Sequence, residues 1–215
     1  MLIRLRFGVV LLGLALAGAL ALGCSKSAPR EKVWVPPRVD LARFGTLGMI
    51  EFSASGADGL GALASREFLA TLQSAQPGTP VLELGEERRV LAERGVEALD
   101  PDAIRAIGER HRVDALVVGR VKAQPTVPGV AFDSNARWVA ASAELEGTLD
   151  ARIFDTRTGA TVWSTAARAR EPLARVDISS TGVTGMGASP GRDANLRLVR
   201  SLVSGATGDF WGRWK

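Results

Sequence analysis

The chain has one cysteine, one histidine and no tyrosine among its 215 residues, and the first two scarcities each remove a class of chemistry. A single cysteine cannot close an intramolecular disulfide or build a cysteine-based zinc site, so the fold must rely on burial. His111 stands without the partner nucleophile or further ligands that a triad or most zinc sites require. At the end of a helix its partial positive charge is simply favourable. Charge of one sign is equally scarce. The 27 basic side chains face 23 acidic ones, and a dispersed net charge of +4 is too small for a nucleic-acid footprint. The longest apolar run, Phe7 to Leu22, would rise only ~24 Å as a helix against a ~30 Å hydrocarbon core, which argues against a permanent membrane span. Five tryptophans accompany the missing tyrosine, a bias with no evident physical reason.

That same run organises the rest of the chain. Arg4 and Arg6 precede it, and Ala21-Leu22-Gly23-Cys24 follows, so a cationic head, an apolar middle and a small-residue exit read as an export signal. The lone cysteine, set between small residues and a polar tail, resembles the lipobox of bacterial lipoprotein precursors. The resemblance implies cleavage before Cys24, lipid (palmitate) attachment to Cys24, and retention on a membrane facing the periplasm. Ser25, where an Asp is lacking, resembles the outer-membrane sorting pattern, so the expected location is the periplasmic face of the outer membrane. An ordinary signal cut at an Ala-x-Ala-like site is the alternative. Removing residues 1–23 from 215 leaves 192, enough for one domain with a sizeable core, and takes Arg4 and Arg6 with it, leaving 25 basic against 23 acidic side chains.

Residues 24–45 form an extended linker. Pro36-Pro37 fixes φ and lacks N–H donors, and Val33-Trp34-Val35 interrupts the polar tract as a segment that docks on the domain or on a partner. Residues 46–215 form the domain. Thr46 to Phe52 reads as a buried strand, and Leu60, Ala64, Phe68 and Leu72 mark an amphipathic helix stopped at Pro77-Gly78. Val81 to Leu84 is a second strand, Glu86 to Arg94 a short helix closed by Gly95, and Asp100-Pro101 the start of another helix. Val113 to Val121 is a central strand. Residues 122–142 read as a long loop. Ala143 to Ile153 and Thr161 to Arg170 form a hairpin around Asp155–Gly159, with Ile153 opposite Trp163 and Glu146 opposite Arg170. A second loop, Ile178 to Asp193, leads to a helix with the stripe Leu196, Val199, Val203, Ala206 and Phe210. The fold class is an α/β (α+β) sandwich: a mixed sheet of about five strands with a long antiparallel hairpin, covered by three main helices.

Several motifs invite chemistry. Gly59-Leu60-Gly61-Ala62-Leu63-Ala64 matches G-x-G-x-x-A, but Ser53 to Asp58 separate it from the strand and Asp58 puts negative charge where phosphate would bind. Glu144, Glu146 and Asp150 share a strand face as acid–base carboxylates do, yet Arg152, Arg168 and Arg170 are placed to pair with them, so a solvated salt-bridged face is expected. Ser179, Ser180 and Ser189 lack a nucleophile elbow or base. No catalytic, cofactor or metal residues are therefore expected. Phe210 belongs to the core, whereas Trp211 and Trp214 either fold back or meet a partner or bilayer.

Arg112-Val113-Asp114-Ala115-Leu116-Val117-Val118-Gly119, preceded by Asp100-Pro101-Asp102-Ala103-Ile104, is similar to a stretch of the curli secretion-channel (CsgG-like) lipoprotein family. It also looks like the TolB amino-terminal domain and the LpoB-like lipoprotein activators of penicillin-binding proteins. Leu149 to Gly159 followed by Trp163-Ser164 resembles the family's hairpin. The resemblance covers about residues 45–215 and implies a non-enzymatic, lipid-anchored domain that works with a secretion-channel or cell-wall-synthesis partner through its long loops, Trp211 and Trp214. The alternative it implies is an oligomeric outer-membrane pore or ring component. Channel-forming members insert two β-hairpins from connections equivalent to 122–142 and 172–192. A membrane strand needs ~9–11 alternating residues. Pro125 and Pro128 interrupt the first connection, and the second is glycine-rich without sustained alternation, so each is barely long enough for one hairpin. This counts against self-assembly into a pore, while the positions of the two connections still suggest it.

Overall fold

A computed structural model describes residues 32–132, 138–179, 182–188 and 191–214. The expected signal peptide (residues 1–23), Cys24, the first part of the expected linker, Ser180 and Ser189 lie outside the described residues. The chain divides into two compact units, Val35–Arg213 and the two chain ends Met1–Trp34 and Trp214–Lys215.

In the larger unit, strand β2 (Leu47–Glu51) is followed by the short β3 (Ser53–Ser55) and helix α1 (Leu60–Ala75). Leu60, Ala64, Phe68 and Leu72 are all buried, as their four-residue spacing predicts. Strand β4 (Val81–Glu86), helix α2 (Glu87–Ala92) and helix α3 (Pro101–His111) come next. Asp100 caps α3 by accepting from the Ala103 amide at 2.7 Å, with proline in the first turn where no N–H is needed. Three long strands follow: β5 (Ala115–Phe132), β6 (Trp138–Asp155) and β7 (Thr161–Ser179). Strand β8 (Gly182–Ala188) and helix α4 (Gly191–Ala206) complete the main elements, with a 3-10 turn over Gly208–Phe210. Trp34–Val35 (β1) and Arg213–Trp214 (β9) form a separate two-stranded sheet.

The main sheet is mixed and open, in the order β4-β2-β5-β6-β7-β8, with β3 added along β5. It is the expected α+β sandwich, with seven strands rather than about five. Strands β2, β4 and the start of β5 run parallel; β5 through β8 are antiparallel. One face carries α1 and α4 over a core including Phe68, Val117, Leu149, Ile153 and Phe210. The opposite face is covered at the β4–β2–β5 end, where Ile50, Leu84, Val90, Ile104, Ile107 and Leu116 cluster. Burying a side chain such as Phe68 contributes ~1.5–3 kcal/mol, and its ring meets Phe52 at 5.1 Å and Phe210 edge-on at 6.2 Å.

The largest departure from expectation concerns the two long loops. Residues 122–142 and 172–192 are mostly strand: β5 and β6 continue as one hairpin and β7 and β8 as another. Prolines were misleading because two β-bulges absorb them. The β5–β6 register jumps between Thr126 and Gly129, leaving Val127 and Pro128 outside the ladder. The β6–β7 register jumps between Ala143 and Glu144, placing Pro172 at the second bulge with Leu173 unpaired. Pro125 lies where, among the described residues, β5 has no neighbour beyond the Ser55↔Lys122 pair on its other side. Bulges and edges are the places in a sheet where a missing N–H does no harm. A smaller correction concerns α4: Ala194, Leu198 and Leu202 join Val199, Val203 and Ala206 in the core, whereas Leu196 is only half-buried and Phe210 follows in the 3-10 turn.

Candidate functional site

The hairpin between β6 and β7 acts as a structural keystone. In its turn, Asp155 Oδ1 accepts from the Thr158 amide at 2.7 Å and from the Thr158 hydroxyl at 2.8 Å. Those donors, the hydroxyl first, hold the Asp155 carboxyl below its usual range. Gly159 adopts φ +73, and a side chain there would collide with Pro101. The buried Thr156 hydroxyl donates to the Val113 and Asp114 carbonyls at 2.7 and 2.9 Å, fixing the turn to the start of β5. Farther along, Ile153 pairs with Trp163 as expected. Trp163 stacks 4.7 Å from Phe210 and donates its indole N–H to Asp209 at 3.3 Å. The residues that carry the hairpin resemblance thus do folding work.

The G-x-G-x-x-A segment is likewise explained by packing. A side chain on Gly61 would overlap the Phe52 carbonyl oxygen, so the glycine lets α1 approach the end of β2. Ser65 Oγ accepts the Phe52 amide at 2.7 Å and donates to the Gly61 carbonyl at 3.0 Å. A strand's own backbone occupies the place beside the first helical turn that a pyrophosphate would take in a dinucleotide site.

Where α2 and α3 do not reach, β5, β6 and β7 present a polar face. Its cross-strand rows are Arg120↔Asp150, Lys122↔Thr148↔Arg168 and Gln124↔Glu146↔Arg170. Glu146 and Arg170 pair at 3.3 Å, as their opposition predicts. Such an exposed pair contributes only ~0.2–1 kcal/mol. Beside this strip lies an open cleft of about 530 Å³, bordered by Arg120, Arg152, Asp150, Glu87 and Glu97. No group of three His, Cys, Asp or Glu side chains able to hold a metal occurs among the described residues.

The unforeseen feature is the sheet beyond the two bulges. There Phe132, Val139, Ile178 and Val183 stand in one cross-strand row, and Val130, Ala141, Val176 and Met186 in another, two residues away on β5, β6 and β7 and three on β8, where the register shifts. The intervening row is Ala131, Ala140, Asp177 and Gly185. The pairing across four strands is not legible along any single segment.

Of the aromatic candidates, Phe210 is buried in the core. Trp211 is exposed, and Trp214 meets Trp34 in the unit formed by the chain ends. No protein-family model matches the chain, and no curated protein matches it. Solved structures with a similar fold include lipoprotein GNA1162 from Neisseria meningitidis, at 21% identity over 60% of this chain and 83% of that one (TM-score 0.38). A PelC dodecamer from Paraburkholderia phytofirmans is similar at 12% identity over 82% and 96% (TM-score 0.37). The LpoB C-terminal domain from Escherichia coli is similar at 12% identity over 59% and 82% (TM-score 0.34). Likeness of this degree concerns the path of the chain and assigns no residue a role.

Proposed function

We propose that this chain is a non-enzymatic, lipid-anchored assembly protein of the bacterial envelope, tethered through Cys24 at the periplasmic face of the outer membrane. It engages a partner protein of secretion or cell-wall synthesis with the projecting sheet of β5–β8. The observation that carries this reading is the four-stranded continuation of the sheet past the bulges, where among the described residues no further strand pairs along β8 or along β5 beyond Lys122 on its other side. An unpaired strand edge is a feature by which a sheet accepts another chain.

A second reading uses the same edges for copies of this chain. Strands β5 and β8 run in opposite directions, so β8 of one copy beside β5 of the next would continue the antiparallel alternation into a ring. Beyond the bulges β8 covers seven residues, Gly182–Ala188. At ~3.4 Å per residue that is ~24 Å, and the described parts of the neighbouring strands there are shorter, below the ~9–11 residues of a membrane strand. This favours binding or ring formation over a pore.

A photo-crosslinking residue at Ala131 or Gly187, activated in intact envelopes, tests both. Adducts with another envelope protein, abolished by Gly185→Pro, are expected. Adducts only at multiples of this chain's mass move the assignment to the ring. No adduct from either position refutes both.

A further inference from the structure

Trp34 and Trp214 come from opposite ends of the chain, yet their rings lie 5.2 Å apart at 58°. They cover each other incompletely: Trp34 is 49% exposed, Trp214 64% and the neighbouring Val33 60%. Trp34 is only the tenth residue after Cys24. A fully extended chain of that length spans at most ~35 Å, so any anchor at Cys24 confines the indole pair to a thin layer above the bilayer. Lys26, Arg30 and Lys32 lie in that segment against the single acidic Glu31, and Lys215 follows Trp214. Cations this close to an anchored end are drawn to anionic headgroups, and indole, with an apolar body and one N–H donor, is the side chain most at home at headgroup depth.

We propose that the Trp34–Trp214 pair is a membrane-interface contact, seated in the headgroup layer of the bilayer to which the chain is tethered. This rests on the tether at Cys24. The pair would then be a second attachment, one that sets the height and tilt of the chain ends, which a flexible acyl linker alone leaves free. A partner protein or a second copy of this chain are the competing occupants of the same rings.

The test couples the mature chain through Cys24, its only thiol, to a maleimide phospholipid in vesicles of phosphatidylethanolamine and phosphatidylglycerol carrying brominated acyl chains. Coupling places the tether whether or not the cell acylates the residue. A negative result therefore bears on the tryptophans alone, while mass spectrometry of Cys24 from native envelopes tests the anchor separately. Bromine near the headgroup is expected to quench part of the tryptophan emission, and Trp34→Ser with Trp214→Ser to remove roughly half or more of that quenching. Trp34→Phe with Trp214→Phe removes the same emission while keeping stacked rings, so the answer stands even if the serine variant misfolds. Absence of quenching in the unaltered protein, or quenching in both double variants as large as in the unaltered protein, overturns the proposal.

Discussion

Replacing Gln76 with leucine removes a clasp between the two ends of the domain at nearly constant volume. Gln76 follows the last turn of α1, and its Oε1 accepts the Leu41 amide at 2.7 Å. Its Nε2 donates to the Val39 carbonyl at 2.6 Å and to the Phe210 carbonyl at 3.1 Å. One donor and two acceptors in a partly buried setting therefore lose their partner together. At about 1 kcal/mol net per neutral hydrogen bond, more where a group is left unsatisfied, the loss is ~2–4 kcal/mol. Two contacts still hold the entering segment: the Val39 amide to the Asp209 carbonyl at 3.1 Å, and Arg38 to Asp209 at 3.2 Å. The damage should accordingly concentrate in local opening of residues 38–44. Hydrogen exchange at the Leu41 amide should accelerate roughly 30- to 1000-fold, while amides of the buried strands follow only the smaller global change. The melting temperature should fall by about 5–10 °C for a domain of this size. If Leu41 exchange is unchanged and melting moves by less than about 1 °C, the clasp does not hold the chain where the linker enters.

Three other changes probe the remaining assignments. Gly61→Ala gains ~1 kcal/mol of helix propensity yet forces α1 away from the Phe52 carbonyl; a net destabilisation of ~1–3 kcal/mol in urea unfolding is expected, and a stabilised variant would refute the packing explanation. Asp155→Ala should cost about 1–2 kcal/mol at neutral pH through the lost bonds to Thr158. Because the folded carboxyl sits below its ordinary value of 3.8, its stabilisation is present above that pH and fades as pH falls through the lowered value; the gap between variant and parent must close in acid unfolding titrations below about pH 4. The double change Glu144→Gln, Glu146→Gln should shift stability by less than about 1 kcal/mol and leave the crosslinked envelope adduct intact, whereas loss of the adduct would give these carboxylates a role in binding.

What could be read from residue order alone was whatever depends on near neighbours. Leu60, Ala64, Phe68 and Leu72 announce α1 because a helix repeats locally, and Asp155 to Gly159 announces its turn because the capping bonds close within four residues. The hairpin register followed from keeping apolar residues on one face, which set Ile153 against Trp163 and Glu146 against Arg170. Local signals failed where a distant strand decides the outcome. Pro128 and Pro172 break isolated segments, but each falls in a bulge that exists only once β6 lies alongside. In α4, stripes through Leu196 and through Leu198 fit helical spacing equally well. Gly147 decides between them, since a side chain there would come within 2.8 Å of Leu198 and 3.0 Å of Leu202. The meeting of Trp34 with Trp214 spans nearly the whole chain and leaves no local trace.

The position of the two bulges gives the fold its division of labour. Both lie level with Ala143: Val127 and Pro128 bulge on one side of it, Leu173 on the other. The core residues Ala123, Leu145 and Ala167 all lie on the same side of that line, toward α1 and α4. A bulge bends a strand and raises its local twist while the ladder resumes on either side of it. Packing beneath the line is closed by helices and by the Asp155–Gly159 turn. Above it the strands are held by backbone pairing, which glycine-rich β8 satisfies as well as any sequence, and this is how segments whose composition reads as loop are strand in the fold.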